Sequence, residues 1–280
     1  MHSGADPSLD AGILGSRDVS VPNGKICASP KTDNYMNSIA ETTAVLLVGG
    51  QGTRLRSVIS SAPKPLARVG KQPFLELLVR HLQRQGFRRL IMCTGYMSNR
   101  IEEEFGDGHT WGLEITYSRE FQPMGTGGAL RLAQSSVSDV QTFVVMNGDS
   151  FLEIDFSALL EFHRRRDGIA TFAVVQVPDA ARYGTVKVDS AGRVAGFLEK
   201  TGANLPGVIN AGVYAFNRQI FDYISDGPAS LEKDVFPGIL DRGVYAFEVD
   251  GMFIDIGTPE DYARAQMLCD RLSSAAVGDK

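Results

Sequence analysis

Thr43-Ala44-Val45-Leu46-Leu47-Val48-Gly49-Gly50-Gln51-Gly52-Thr53-Arg54-Leu55 is the stretch that decides the fold. Its first half is a continuous apolar run that three glycines bring to an end. A run without polar alternation reads as a strand buried on both faces. The glycines let the backbone pass close to a ligand and turn its N–H groups outward, and Arg54 adds a charged fork.

Working outward, Pro73 to Gly86 carries Phe74, Leu75, Leu77, Leu78 and Leu82 at helical spacing, with Gly86 as the stop. Strands are expected at 90–94, 113–117 and 142–146, and helices at 98–105, with Ser98 as N-cap, and at 127–134. Strands alternating with helices predict an α/β fold, a Rossmann-like parallel sheet with helices on both faces. The second half is richer in strands, at 170–177, 185–189, 195–199 and 208–216, which are expected to extend the sheet and cover a site. Ligands of such sheets bind beyond the carboxyl ends of the strands, where Gly49-Gly50 and Asn147-Gly148-Asp149 fall. No internal repeat is visible.

Residues 1–40 differ from the rest, being rich in Ser, Asp, Gly, Pro and Asn with one aromatic, Tyr35. They read as a disordered tail, and 41–280 as a single domain. Residues 1–35 are expected to be dispensable, a chain starting at Met36 keeping its activity.

The 280 residues carry 28 Lys and Arg against 33 Asp and Glu, a formal charge of −5. That balance argues against a general nucleic-acid binder. Cys27, Cys93 and Cys269 are scattered, which suggests neither disulfides nor a zinc site. No apolar run approaches the ~20 residues that span a bilayer, and the first residues lack a secretory signal's apolar segment. A cytoplasmic chain without membrane partners is expected.

Pro63-Lys64-Pro65-Leu66 fixes the backbone around one lysine. Gly125-Thr126-Gly127-Gly128-Ala129 is a small-residue turn opening a helix, suited to a flat base or a phosphate. Asp149 and Asp255 stand among apolar neighbours, where an acid is costly unless paired or bound to a cation. Magnesium takes one or two carboxylates plus substrate phosphates. A dinucleotide fingerprint fails at Leu55, and a P-loop fails at Gln72. His81, His109 and His163 are not needed for chemistry, and His81 is expected at the surface or boundary. Arg164-Arg165-Arg166 reads as a solvated helix end.

From about Thr42 to Met267 the chain resembles the sugar-1-phosphate nucleotidyltransferases. It carries, in order, G-G-x-G-T-R-L, P-K-P, G-T-x-G-A, N-G-D, an E-K pair at Glu199-Lys200, N-x-G-x-Y at Asn210 to Tyr214, and D-I-G-T-P-x-D-Y from Asp255. Within that family it looks most like the D-glycero-α-D-manno-heptose 1-phosphate guanylyltransferases, through Lys71 to Glu76, Arg182 to Val186 and Phe253 to Gly257. Gln122 departs from the pattern, standing where a glutamate is expected before Pro123.

The resemblance implies a mostly parallel mixed sheet of the nucleotide-diphospho-sugar transferase type. It implies a reaction between a nucleoside triphosphate, GTP by the closer likeness, and a sugar 1-phosphate, with Mg²⁺ as cofactor. Gly49, Gly50, Gly52 and Thr53 would hold the triphosphate, and Arg54 and Lys64 would neutralise the reacting phosphates. Gly125, Thr126, Gly127 and Gly128 would lie against base and ribose. Asp149 and Asp255 would bind the metal, Glu199 sugar hydroxyls, and Lys200 the sugar phosphate. Asn210 and Gly212 would line the sugar pocket. Alternatives are a uridylyl- or thymidylyltransferase acting on a hexose 1-phosphate, or a non-catalytic nucleotide-sugar sensor. A homo-oligomer is compatible with the pattern, as is service to any surface polysaccharide pathway.

Overall fold

The computed structural model describes residues 39–55, 57–59, 62–198 and 205–277. The expected tail up to residue 38 lies outside them. Its last two residues, 39 and 40, are instead ordered, forming a 3-10 turn with Glu41, and Ile39 packs against the core.

The elements in chain order are β1 (Thr43–Leu47), β2 (Arg68–Val69), β3 (Gln72–Pro73), α1 (Phe74–Arg84), β4 (Arg89–Thr94), α2 (Ser98–Phe105), β5 (Glu114–Arg119) and α3 (Gly125–Leu132). They continue with β6 (Thr142–Asn147), β7 (Ser150–Leu152), α4 (Phe156–Arg166), β8 (Ala170–Val177), β9 (Thr185–Val188), β10 (Val194–Leu198) and β11 (Gly207–Asn217). The last are β12 (Val244–Glu248), β13 (Phe253–Asp255), α5 (Pro259–Met267) and α6 (Cys269–Val277).

Among the described residues nine strands form one sheet, in the order β10-β9-β11-β6-β1-β4-β5, with β8 on β11 and β12 on β8. β1 pairs in parallel with β4 and β6, and β4 with β5. β11 runs antiparallel to β6 and β8, and β9 antiparallel to β10 and β11. The result is the mixed sheet that the resemblance implies, its β6-β1-β4-β5 part parallel as the alternating sequence predicts. β1 shows why its apolar run is unbroken. Ala44, Leu46 and Val48 pack on one face with α1, α2 and α4, while Val45 packs on the other with α3 and the segment after β11.

Two local expectations are corrected. Ser98 does not cap α2. It is the first helical residue and buried, and the cap position is Met97 in the left-handed region at φ 55° without a side-chain bond. His81 is not a boundary residue. It is 2% exposed, between Phe151 and Phe156, because α1 is covered on one side by the sheet layer and on another by α6. Helix α3 starts at Gly125, two residues ahead of expectation. Arg164, Arg165 and Arg166 are exposed, as a solvated helix end should be. Among the described residues, no helix is long and apolar enough to cross a membrane.

This topology sets the site. Leu47 sits in register with Cys93 on one side and Asn147 on the other, so the loops after β1, β4 and β6 emerge together. The small pair β7–β13 sets Asp255 opposite Ser150 and therefore beside Asp149.

Candidate active site

A cavity of about 380 Å³ opens beyond the carboxyl ends of β1, β5 and β6. Gly49, Gly50, Gly52, Thr53 and Arg54 line one side, Lys64 and Pro65 another, and Asn147, Gly148 and Asp149 the floor. Glu120, Gly125 and Thr126 close it opposite.

The glycine loop is shaped by what packs behind it. Gly52 has φ +58°, and a Cβ there would lie 2.7 Å from the Cβ of Lys64. Only glycine lets the loop rest on the Pro63-Lys64-Pro65 segment, which forms a 3-10 turn closed by the Ala67 N–H donating to the Lys64 carbonyl. The ammonium of Lys64 then points inward, its side chain 9% exposed, and meets Asp149 Oδ2 at 2.6 Å. Two motifs 85 residues apart thus join in one ion pair. Arg54 has no ion-pair partner among the described residues and faces the same cavity.

Asp255 is held close to this pair. Its backbone neighbour Ile256 donates to the Asp149 carbonyl at 2.9 Å, and Gly257 N–H donates to Asp255 Oδ1. Burial pushes the Asp255 carboxyl above its ordinary pKa, the Asp149 charge pushes it further, and Lys64 opposes both. Two adjacent carboxylates with one lysine between them form a site short of positive charge, which a divalent cation would relieve. Among the described residues no cluster of three or more metal-ligating side chains exists. The two carboxylates would suit an ion that fills its other positions from water and phosphate, as Mg²⁺ does.

The Gly125–Gly128 turn is divided. Gly125 and Thr126 line the cavity, but Gly127 and Gly128 do not. Their N–H groups donate to the Ala229 carbonyl at 2.8 and 3.1 Å, and a Cβ on Gly128 would come within 2.5 Å of the Gly227 carbonyl. These two glycines make room for another chain segment rather than for a base or ribose, which corrects the expectation. Asn210 and Gly212 also stand behind the cavity wall. Asn210 donates to the Tyr214 hydroxyl at 2.8 Å and accepts from Gly212 N–H at 3.0 Å, stapling a bulge in β11. A Cβ on Gly212 would meet Asn147 Nδ2 at 2.6 Å, so the bulge seats the Asn147 side chain. Glu199 and Lys200 lie outside the described residues.

Glu120 is the cavity residue that motif reading missed. It follows β5, its N–H donating to the Thr94 carbonyl at 2.8 Å, and its Oε2 accepts the Met124 N–H at 3.2 Å. A Cβ on Gly49 or on Gly95 would fall 2.9 or 2.5 Å from Glu120 Oε1, so two glycines at strand ends clear its slot. Burial raises the carboxyl pKa, and the Met124 N–H counters this. Its place just beyond a parallel strand is the signal that could have found it.

The nucleotidyl transferase family model matches residues 43–271. The chain belongs to the nucleotidyl transferase family. It is 40% identical over 228 residues to the mannose-1-phosphate guanylyltransferase of Mycobacterium tuberculosis, spanning 80% of this chain and 63% of that one. The chain thus spans less than two thirds of that relative's length. It is also 40% identical over 225 residues to the D-glycero-α-D-manno-heptose 1-phosphate guanylyltransferase of Aneurinibacillus thermoaerophilus, spanning 80% of this chain and 96% of the other. The crystal structure of HddC from Yersinia pseudotuberculosis complexed with GMP-PN superposes with a TM-score of 0.73 at 33% identity, over 81% of this chain and 98% of that one.

Proposed function

We propose that this protein transfers a guanylyl group from GTP to a sugar 1-phosphate, D-glycero-α-D-manno-heptose 1-phosphate, releasing pyrophosphate. One observation carries the chemistry: Lys64, Arg54 and Asp149 converge on a single glycine-lined cavity at the carboxyl edge of the sheet. The choice of sugar is supported by the heptose enzyme of Aneurinibacillus thermoaerophilus, 40% identical over 225 residues, and by the stretches Lys71 to Glu76 and Arg182 to Val186. The choice of base is supported by Glu120, because guanine offers adjacent N–H donors that a carboxylate can accept together.

The sugar phosphate has a second pKa near ~6 and is largely a dianion at neutral pH, so it needs no protein base. One of its oxygens forms a bond to the α-phosphorus while the bond to the β-phosphate oxygen breaks, and pyrophosphate departs with that electron pair. Gly50 and Gln51 make no hydrogen bond among the described residues and offer N–H groups to the triphosphate. Arg54 and Lys64 stabilise the charge that spreads over the transferring group. Asp149 and Asp255 would hold Mg²⁺, which when bound supplies neutralisation of the phosphates. Lys200 and Glu199 would serve the sugar phosphate and its hydroxyls.

The test is pyrophosphate release over a grid of GTP, ATP, UTP and dTTP against heptose, mannose and glucose 1-phosphates with Mg²⁺. GTP with the heptose phosphate is expected to give the highest kcat/KM. Highest turnover with UTP or dTTP and glucose 1-phosphate would overturn the assignment, and binding of nucleotide-sugar without turnover would make the protein a sensor.

A further inference from the structure

The start of α3 is held by a segment far along the chain. Thr126 Oγ1 donates to Glu232 Oε2 at 2.8 Å, across 106 residues, and accepts the Leu231 N–H at 2.8 Å. The same Glu232 oxygen accepts the Ser230 hydroxyl at 2.9 Å. Ala229 completes the clasp. Its carbonyl takes the Gly127 and Gly128 N–H groups, and its own N–H donates to the Met124 carbonyl at 2.8 Å. Glycine is required at position 125, where φ is +69° and a Cβ would come within 2.5 Å of the Ala229 carbonyl.

Glu232 is itself held in place. It belongs to a five-residue turn of π-type, Leu231–Val235, capped by Ser230, whose hydroxyl accepts the Lys233 N–H at 3.2 Å. The Ser230 N–H donates to Asp234 Oδ2 at 2.7 Å. Such turns are uncommon and are frequently found at functional sites.

We infer that Glu232 is a positioning residue for the nucleotide subsite, fixing through Thr126 the wall that Gly125 and Thr126 present to the cavity. The inference rests on the reading of that cavity as the triphosphate site. Glu232 does not line the cavity, whereas Thr126 does. The single hydroxyl proton of Thr126 is committed to Glu232, so the carboxylate dictates its rotamer and leaves one face of the side chain toward the ligand. A bond to an ionised acceptor is about twice as strong as a neutral one, which suits a part-buried clasp.

The test compares Glu232→Ala, Glu232→Gln, Thr126→Val and Thr126→Ser with the unaltered protein. GTP binding with Mg²⁺ is followed by calorimetry, and both substrates by steady-state kinetics. Glu232→Ala and Thr126→Val are expected to weaken GTP binding about tenfold, the worth of one charge-assisted bond, and to raise KM for GTP more than they lower kcat. Thr126→Ser keeps the hydroxyl and should lose less GTP affinity than Thr126→Val, with Glu232→Gln between the unaltered protein and Glu232→Ala. KM for the sugar phosphate should stay put. Unchanged GTP affinity in Glu232→Ala and Thr126→Val overturns the inference, as does damage by Thr126→Ser equal to that by Thr126→Val. If Glu232→Ala does not fold, Glu232→Gln and the Thr126 pair decide in the same way. The unaltered protein failing to release pyrophosphate from any pair would refute the functional reading, whereas GTP calorimetry tests the clasp without turnover.

Discussion

Acidification should unfold this protein in part through one histidine. His81 lies in α1 with its ring 5.1 Å from that of Phe151 and 5.7 Å from that of Phe156, centroid to centroid. Among the described residues neither ring nitrogen has a partner at hydrogen-bond geometry. Burial lowers its pKa from 6.5 to about 4, Arg84 contributes in the same direction, and the Ala275 carbonyl, which also accepts from Arg84, opposes them. The sign follows from linkage. Between pH 6.5 and about 4 the unfolded chain takes up a proton that the native ring refuses, so stability is complete above that window and drops as pH falls through it. A shift of this size corresponds to about 3 kcal/mol, or a midpoint about 6–12 °C lower for a domain of this length. Carboxylates titrate in the same range, so the measurement is a difference. Urea unfolding at intervals from pH 8 to 4, for the unaltered protein and for His81→Leu, should give free energies that converge in favour of the variant on acidification. Parallel curves would refute the reasoning.

The other expectations concern the cavity. Asp149→Asn should keep the fold and lower turnover by ~10²-fold or more, since a charge at the reacting phosphates is lost, and steady-state kinetics at saturating Mg²⁺ would show it. Lys64→Ala should cost turnover similarly and also lower stability, because Asp149 loses its 2.6 Å partner; unchanged kinetics in both variants would disprove their roles. Glu120→Gln should reduce kcat/KM for GTP by ~10-fold or more while leaving the sugar phosphate KM alone, the cost of spoiling one or two bonds to a charged acceptor. Removing Mg²⁺ with a chelator should weaken GTP binding by calorimetry, and equal affinity with and without the ion would count against Asp149 and Asp255 as its ligands.

Strand β1 was legible because burial on both faces leaves a trace in sequence: every residue from Ala44 to Leu46 must be apolar when alternate ones enter different cores. The glycine loop was legible because Gly52 sits at φ +58° against Lys64, a place that only glycine tolerates. The same logic failed at Gly127 and Gly128. Glycine records that something comes close, not what comes close, and here it is the Ala229 backbone rather than a ligand. His81 was misplaced for a related reason. It follows Leu77 and Leu78 by four and three positions and so shares their buried stripe, but its polarity outweighed its position in the reading. The Lys64–Asp149 pair and the Thr126–Glu232 clasp were out of reach, because each depends on loops brought together by sheet order rather than by proximity in sequence.

Charge at the cavity explains what kind of ligand it can take. Arg54 and Lys64 face Glu120 and Asp149 across its walls, two cations against two anions, and Asp255 adds a third anion beside them. The whole chain is acidic as well, at −5. No surplus of positive side chains therefore draws a bare polyphosphate into the described part of this site. The α3 N-terminus supplies only part of the missing attraction, since its Gly127 and Gly128 N–H groups are spent on Ala229. What is left is the Gly50–Gln51 backbone and, on the proposed reading, a divalent ion that Asp149 and Asp255 would hold. Such an ion would offset part of the charge of the acids and of the triphosphate, and Lys64 could then turn from Asp149 toward the transferring group. On the proposed reading such a cavity would favour a triphosphate that arrives with its metal, whereas an uncomplexed anion would leave two carboxylates facing it.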